Sequence, residues 1–195
     1  MKFNQSTQIR KLAIGITGAS GIVYGVRLLE ILRELNIESH LIISKAGELT
    51  REYETNISSK ELKSKATIVH SNSDLAASVS SGSYPIDGMI IAPCSMKTLA
   101  EIANGTTTGL ISRTADVMLK ERRRLVLLAR ETPLTSIHLN NMLAVTNAGA
   151  IVMPPVPAFY TKPQSLDDIV NYTAIRALDL FGVEIVDSKR WKASK

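Results

Sequence analysis

Residues 12–32 read LAIGITGASGIVYGVRLLEIL, and this stretch decides the fold. The apolar run LAIGIT at 12–17 stops at Gly18-Ala19-Ser20-Gly21. A short apolar run bounded by such a turn reads as a strand buried on both faces, as in a parallel sheet. Beyond the turn Ile22, Val26, Leu29 and Leu32 recur at helical spacing, so a helix is expected over about 22–35.

The same alternation continues outward. SHLII at 39–43 reads as a second strand and 45–55 as a helix. From Asn56 to Ser83 the chain is polar and serine-rich, with a short strand near Thr67–His70. DGMIIAPCS at 87–95 is another buried strand, followed by helices near 96–104 and 108–121 broken about Gly105. RLVLLA at 124–129 is a strong strand, 135–147 a helix, and AIVM at 150–153 a last apolar run. PPVPAFYTKP is irregular, because proline removes donors and restricts its neighbours. A final helix starts at Leu166, with Asp167 and Asp168 favouring its dipole, and runs to about Phe181 before Gly182. This order implies an α/β fold in one domain over 1–195: three-layer, Rossmann-like, with a doubly wound, mostly parallel sheet. Ligands of such sheets bind beyond the carboxyl ends of the strands. GASG, PCS and RET all fall at strand ends, and their shared position says more than any one of them.

Composition narrows the classes further. With 45% apolar and 21% charged residues the chain is neither disordered nor collagenous. No apolar run approaches the ~20 residues that span a bilayer. A single cysteine, Cys94, excludes an internal disulfide framework, and a cytoplasmic protein is expected. The net charge of +5 allows an anionic ligand without demanding nucleic acid, since no zinc spacing or stacking aromatic series accompanies it.

Several residues are candidates for chemistry. Gly18, Ala19 and Ser20 join a strand to a helix N-terminus, where free N–H groups suit an anion or a polar ring edge. The turn is neither GxGxxG nor a Walker loop, and a plain tight turn is the rival reading. Ser95 opens a helix with Met96, Lys97 and Thr98; it is a cap, and a cap also presents a hydroxyl and amides to a ligand. Cys94 reads as a small buried side chain rather than a nucleophile. Arg113 and Lys120, seven residues apart, share a helical face, and Arg130 and Glu131 follow a strand. These groups either satisfy one another or form a phosphate site with a proton-handling neighbour. Tyr160 and Arg176 join that site only through the tertiary or quaternary fold. His40, His70 and His138 have no metal spacing, and no metal is expected. Trp191 near the end packs on its own chain or on a neighbouring subunit.

From Lys11 to Trp191 the chain resembles the flavin prenyltransferases, the UbiX/Pad1-like proteins once described as aromatic-acid decarboxylases. The resemblance rests on ITGASGIVYGVRLLEIL, HLIISKAG, IIAPCSMKTLAEIANG, LISRTADVMLKERRRLVLLARETPLTSIHLNNM and NAGAIVMPPVPAFYTKPQSLDDIV. It implies a flavoprotein that transfers dimethylallyl from dimethylallyl phosphate to reduced FMN, making prenylated FMN for a separate decarboxylase. It implies FMN contacts at Gly18, Ala19, Ser20, Ser44, Ser95, Met96, Lys97, Thr98, Arg113 and Arg130. It places the allylic phosphate with Lys120, Arg130, Tyr160 and Arg176, and Trp191 near the active site. Ser20, Glu54 and Glu131 are the implied catalytic residues, the two acids as proton handlers. A homo-oligomer is implied, a dodecamer with shared sites, in which residues 183–195 pack at a subunit interface. One departure is a short 56–68 segment that holds no aromatic residue. Two rival functions stand beside this one: an FMN-dependent cysteine decarboxylase and a non-catalytic FMN-binding partner subunit.

Overall fold

The structure is a computed structural model that describes residues 9–183 and 185. Trp191 and most of the 183–195 segment lie outside the described residues.

Among the described residues six strands form one sheet: β1 (Lys11–Ile16), β2 (Glu38–Ile43), β3 (Ile68–Ser71), β4 (Gly88–Cys94), β5 (Arg124–Ala129) and β6 (Ile151–Val152). Their order is β3-β2-β1-β4-β5-β6, and every neighbouring pair is parallel, so the mostly parallel expectation becomes a wholly parallel sheet. Among the described residues seven α-helices connect or flank them: α1 (Ile22–Glu34), α2 (Lys45–Glu54), α3 (Ser59–Ser64), α4 (Met96–Ala103), α5 (Leu110–Lys120), α6 (Ser136–Asn147) and α7 (Leu166–Asp179).

Side-chain alternation along the buried strands feeds two cores. Val126 and Leu128 of β5 face α1 and α7, where they meet Leu28, Leu32, Ala174 and Leu178. Leu125 and Leu127 face the other way, toward Leu99 of α4 and Ile111 and Met118 of α5. Each such fully buried leucine contributes roughly 1.5–3 kcal/mol relative to exposure. Strands buried on both faces need apolar residues at every position, which is why they stand out in the sequence as runs.

Three elements differ from the sequence reading. The polar 56–68 stretch contains α3, held by a capping box in which Ser58 and Glu61 exchange hydrogen bonds, with Leu62 buried beneath. The AIVM run pairs only at Ile151 and Val152. The last helix ends at Asp179, and Gly182 takes a left-handed φ of 74° just beyond it.

Away from the strand ends, His40 of β2 is fully buried. Its Nε2 lies 2.8 Å from Glu38 Oε1 and its Nδ1 lies 2.9 Å from His70 Nε2 of β3. Because the carboxylate only accepts, the His40 Nε2–H donates to Glu38.

Candidate active site

The chain leaves β1 for β2 on one side and later returns to β4 on the other. The carboxyl ends of β1 and β4 therefore form the switch point of the sheet. A cleft of about 970 Å3 opens there. Gly18, Ser44, Ser95, Met96, Lys97, Thr98 and Glu131, all singled out in the sequence, line it together.

Gly21 carries the left-handed φ of 106° that ends the GASG turn and caps α1. Gly18 is small for a different reason: a Cβ there would sit 2.4 Å from the Ala46 Cβ of α2. Its bare backbone lets β1 and α2 approach, so close approach at Gly18 is to protein. Ala19 is buried, while Ser20 is exposed and has no partner among the described residues. No side chain of the turn caps α1. The Glu54 carboxylate, from the end of α2, does so instead, accepting the N–H groups of Gly21 at 2.8 Å and Ile22 at 3.1 Å. An acid there also favours the positive end of the α1 dipole.

Ser44 and Ser95 are both N-caps. Ser44 Oγ accepts from Gly47 N–H at 3.0 Å, and Ser95 Oγ from Thr98 N–H at 3.3 Å. The first turn of α4 holds no acid, so its amides and dipole are left for a ligand. Lys97 is exposed and pairs with Glu101 at 2.6 Å, which also accepts the Thr108 hydroxyl. That contact with the Lys97 ammonium holds the Glu101 carboxyl below its usual range despite partial burial.

Arg130 follows β5 directly, and its backbone N–H bonds the Cys94 carbonyl at 3.1 Å. Its Nε is buried and has no hydrogen-bond partner among the described residues. A buried guanidinium donor left unpaired is costly, and an anionic ligand would satisfy it. Glu131, next in the chain, is exposed on the cleft wall and accepts the N–H of Thr132. Cys94 is fully buried, and burial pushes its thiol up to about 12, so it supplies no thiolate nucleophile.

The remaining candidates do not line this cleft within one chain. Arg113 lies in the first turn of α5 and pairs with Asp116 at 2.8 Å. Lys120 lies at the other end of that helix, beside Glu121. The two share a face, yet seven residues of helix separate them by ~10 Å along the axis. Since α5 leads back to the start of β5, Lys120 sits at the amino edge of the sheet, opposite the cleft. Tyr160 shares a hydroxyl hydrogen bond with Tyr172, and burial together with that neighbour pushes the Tyr172 phenol up. Arg176, in the last turn of α7, bonds Asp179 at 2.6 Å. Thr17 and Asn72 are among the cleft residues that were not foreseen. Thr17 was read only as the end of a strand. Asn72 was lost in the serine-rich stretch, although its side chain and carbonyl accept the Ile111 and Leu110 N–H groups at the α5 N-terminus.

The donor set fits a flavin mononucleotide. The cleft has the volume of a cofactor pocket, ~300–1,000 Å3, Leu49 and Met96 give it apolar surface, and its hydroxyls and the α4 amides offer polar contacts, with the orphaned Arg130 donor one residue before Glu131.

A wholly parallel sheet with such a switch-point cleft defines an α/β nucleotide-binding protein of the flavin-binding kind. The chain belongs to the Flavoprotein family, whose model matches residues 2–178, and within it to the UbiX/Pad1-like flavin prenyltransferases. It is 53% identical to AnUbiX (PadA1), whose crystal structure is a complex with FMN and dimethylallyl pyrophosphate; the match covers 96% of this chain and 100% of that one, with a TM-score of 0.94. The dodecameric FMN-dependent UbiX-like decarboxylase of Escherichia coli O157:H7 is 50% identical over 94% of this chain and 100% of its own, with a TM-score of 0.91. The mitochondrial flavin prenyltransferase PAD1 of Saccharomyces cerevisiae is 50% identical over 95% of this chain and 77% of its own. Among the described residues no helix is long and apolar enough to cross a membrane.

Proposed function

We propose that this protein is a flavin prenyltransferase that moves a dimethylallyl group from dimethylallyl phosphate to reduced FMN. One observation carries the reading: the switch-point cleft unites the Ser44 and Ser95 caps, the α4 N-terminus and Glu131, with an unpaired buried Arg130 donor one residue away. Whole-chain likeness to a protein crystallised with FMN and dimethylallyl pyrophosphate supports it.

When bound, reduced FMN supplies the electron-rich acceptor atoms. Ser44, Ser95, Met96, Lys97 and Thr98 hold it against the strand ends, with the α4 amides and Arg130 meeting its polar and anionic groups. As the allylic carbon–oxygen bond weakens, negative charge gathers on the departing phosphate. Fixed cations stabilise that charge without reorganising. Arg130 serves from the same chain. Lys120, Tyr160 and Arg176 serve from other copies. Apolar surface is available for that assembly: Ile137, Leu139 and Leu143 of α6, together with Val156 and Phe159, are largely exposed. A dodecamer, like the Escherichia coli relative, is the proposed state. The exposed Glu131 carboxylate on the cleft wall would accept the proton that the acceptor gives up. Glu54 acts first as the α1 cap, and its proton-handling role depends on exchange of those two N–H contacts. The product passes to a separate prenylated-FMN-dependent decarboxylase, and a cytoplasmic location is part of the proposal.

Cys94 is buried and protonated and bears on neither reading, because a cysteine decarboxylase acts on a cysteine of its substrate; the absence of a histidine from α1 disfavours that alternative. Phosphate release tests the reading. It should require reduced FMN and dimethylallyl phosphate together; release from either alone, or none from both, defeats it.

A further inference from the structure

At the switch point one buried side chain links the ends of β1 and β4. Thr17 is 1% exposed. Its Oγ1 donates to the Pro93 carbonyl at 2.7 Å and accepts the Ser95 N–H at 2.8 Å. Its backbone N–H reaches the same Pro93 carbonyl at 3.2 Å. Proline offers no N–H, and the β1–β4 register pairs end at Gly15 and Ile91, just before this point. Beyond those pairs the Thr17 hydroxyl bonds the Pro93 carbonyl and the Ser95 N–H on the β1-facing edge of β4.

Both walls of the cleft are tied to this residue. The Thr17 carbonyl accepts the Ala19 N–H at 2.9 Å, fixing the start of the GASG turn. The Thr17 hydroxyl holds the backbone of Ser95, the residue whose side chain caps α4 and meets Thr98. We propose that Thr17 is a positioning residue for the flavin site: its hydroxyl sets where Ser95 and the first turn of α4 stand relative to the Gly18–Gly21 turn. This rests on the FMN reading of the cleft. Thr17 moves no proton and contributes no charge. Its effect on the ligand passes through Ser95 and the α4 amides.

Three variants of the full chain test it. Thr17→Val keeps the shape and removes the hydroxyl, Thr17→Ser keeps the hydroxyl and removes the methyl, and Thr17→Ala removes both. Hydrogen exchange at the Ser95 amide is read in FMN-free protein. FMN affinity and the visible circular dichroism of bound FMN are read separately. Thr17→Val should exchange the Ser95 amide at least tenfold faster, bind FMN about tenfold more weakly, which is ~1.4 kcal/mol, and alter the flavin dichroism. Thr17→Ser should restore all three. Unchanged Ser95 exchange in Thr17→Val, or wild-type flavin affinity and dichroism, overturns the proposal. So does a folded Thr17→Ser as defective as Thr17→Val. If only Thr17→Ser of the three yields folded protein, the hydroxyl serves the fold itself, and the positioning role is rejected. A wild type that binds no FMN defeats the cofactor reading and this proposal with it; the clamp alone fails when wild type and Thr17→Val bind FMN alike.

Discussion

Arg130→Met should shift two quantities in opposite directions. In the ligand-free protein the buried Arg130 Nε has no partner among the described residues. Leaving a buried donor unsatisfied costs roughly 1–3 kcal/mol, and replacing it with an apolar group of similar length removes that cost. The backbone bond from Arg130 N–H to Cys94 is untouched by the change. Ligand-free stability should therefore hold or rise by ~1 kcal/mol, the lower end of that range. Anion binding should fall. Truncating one partner of a desolvated charge-assisted contact costs ~2–5 kcal/mol, or roughly 30- to 5,000-fold in affinity. Urea unfolding at one fixed protein concentration reads the first quantity, since assembly makes stability concentration-dependent. Calorimetric titration with FMN and, separately, with dimethylallyl phosphate reads the second. A variant more than ~1 kcal/mol less stable, with both affinities unchanged, would show Arg130 to be structural and refute the reasoning.

Gly25→Ala should destabilise by ~1–3 kcal/mol in the same unfolding assay, because its Cβ would lie 2.4 Å from the Ala92 carbonyl oxygen and α1 would have to lift from β4; wild-type stability would contradict that packing. Burial, and then the neighbouring His40, hold the His70 imidazole below its usual range, with Asp74 opposing. The unfolded chain thus takes up the His70 proton first, near pH ~6.5, and stability should fall as pH drops through that value. His70→Asn should flatten the slope there, and an unchanged slope would assign it to other groups. Arg176→Ala and Glu131→Gln should each be nearly inactive alone, yet mixed oligomers should regain roughly a quarter of wild-type activity if the two residues come from different copies. No recovery on subunit exchange would place both in one chain's site.

The strands β1, β4 and β5 were legible because burial on both faces demands unbroken apolar runs, and no rival element of that length competes. The six-residue α3 was missed, for it buries only Leu62, although Ser58 and Glu61 spell its capping box. AIVM was overextended, because apolar character at a sheet edge reports packing as readily as pairing. At the site, Ser95 was readable as a cap between strand and helix, whereas Ser44 was named only through the resemblance. Thr17 was hidden by its place at the end of an apolar run, where a threonine resembles any β-branched strand residue. Arg113 and Lys120 show the opposite limit. Their spacing correctly predicts one helical face, but only the direction of α5 reveals that they stand at opposite edges of the sheet. Glu54 was singled out by resemblance alone; its contact with the α1 N-terminus joins residues more than thirty positions apart.

The most direct test of the account is anaerobic mass spectrometry of the wild-type protein after incubation with reduced FMN and dimethylallyl phosphate. The account predicts FMN enlarged by one five-carbon unit, formed only when the allylic phosphate is present. Unmodified FMN recovered from protein shown to bind both ligands would contradict it.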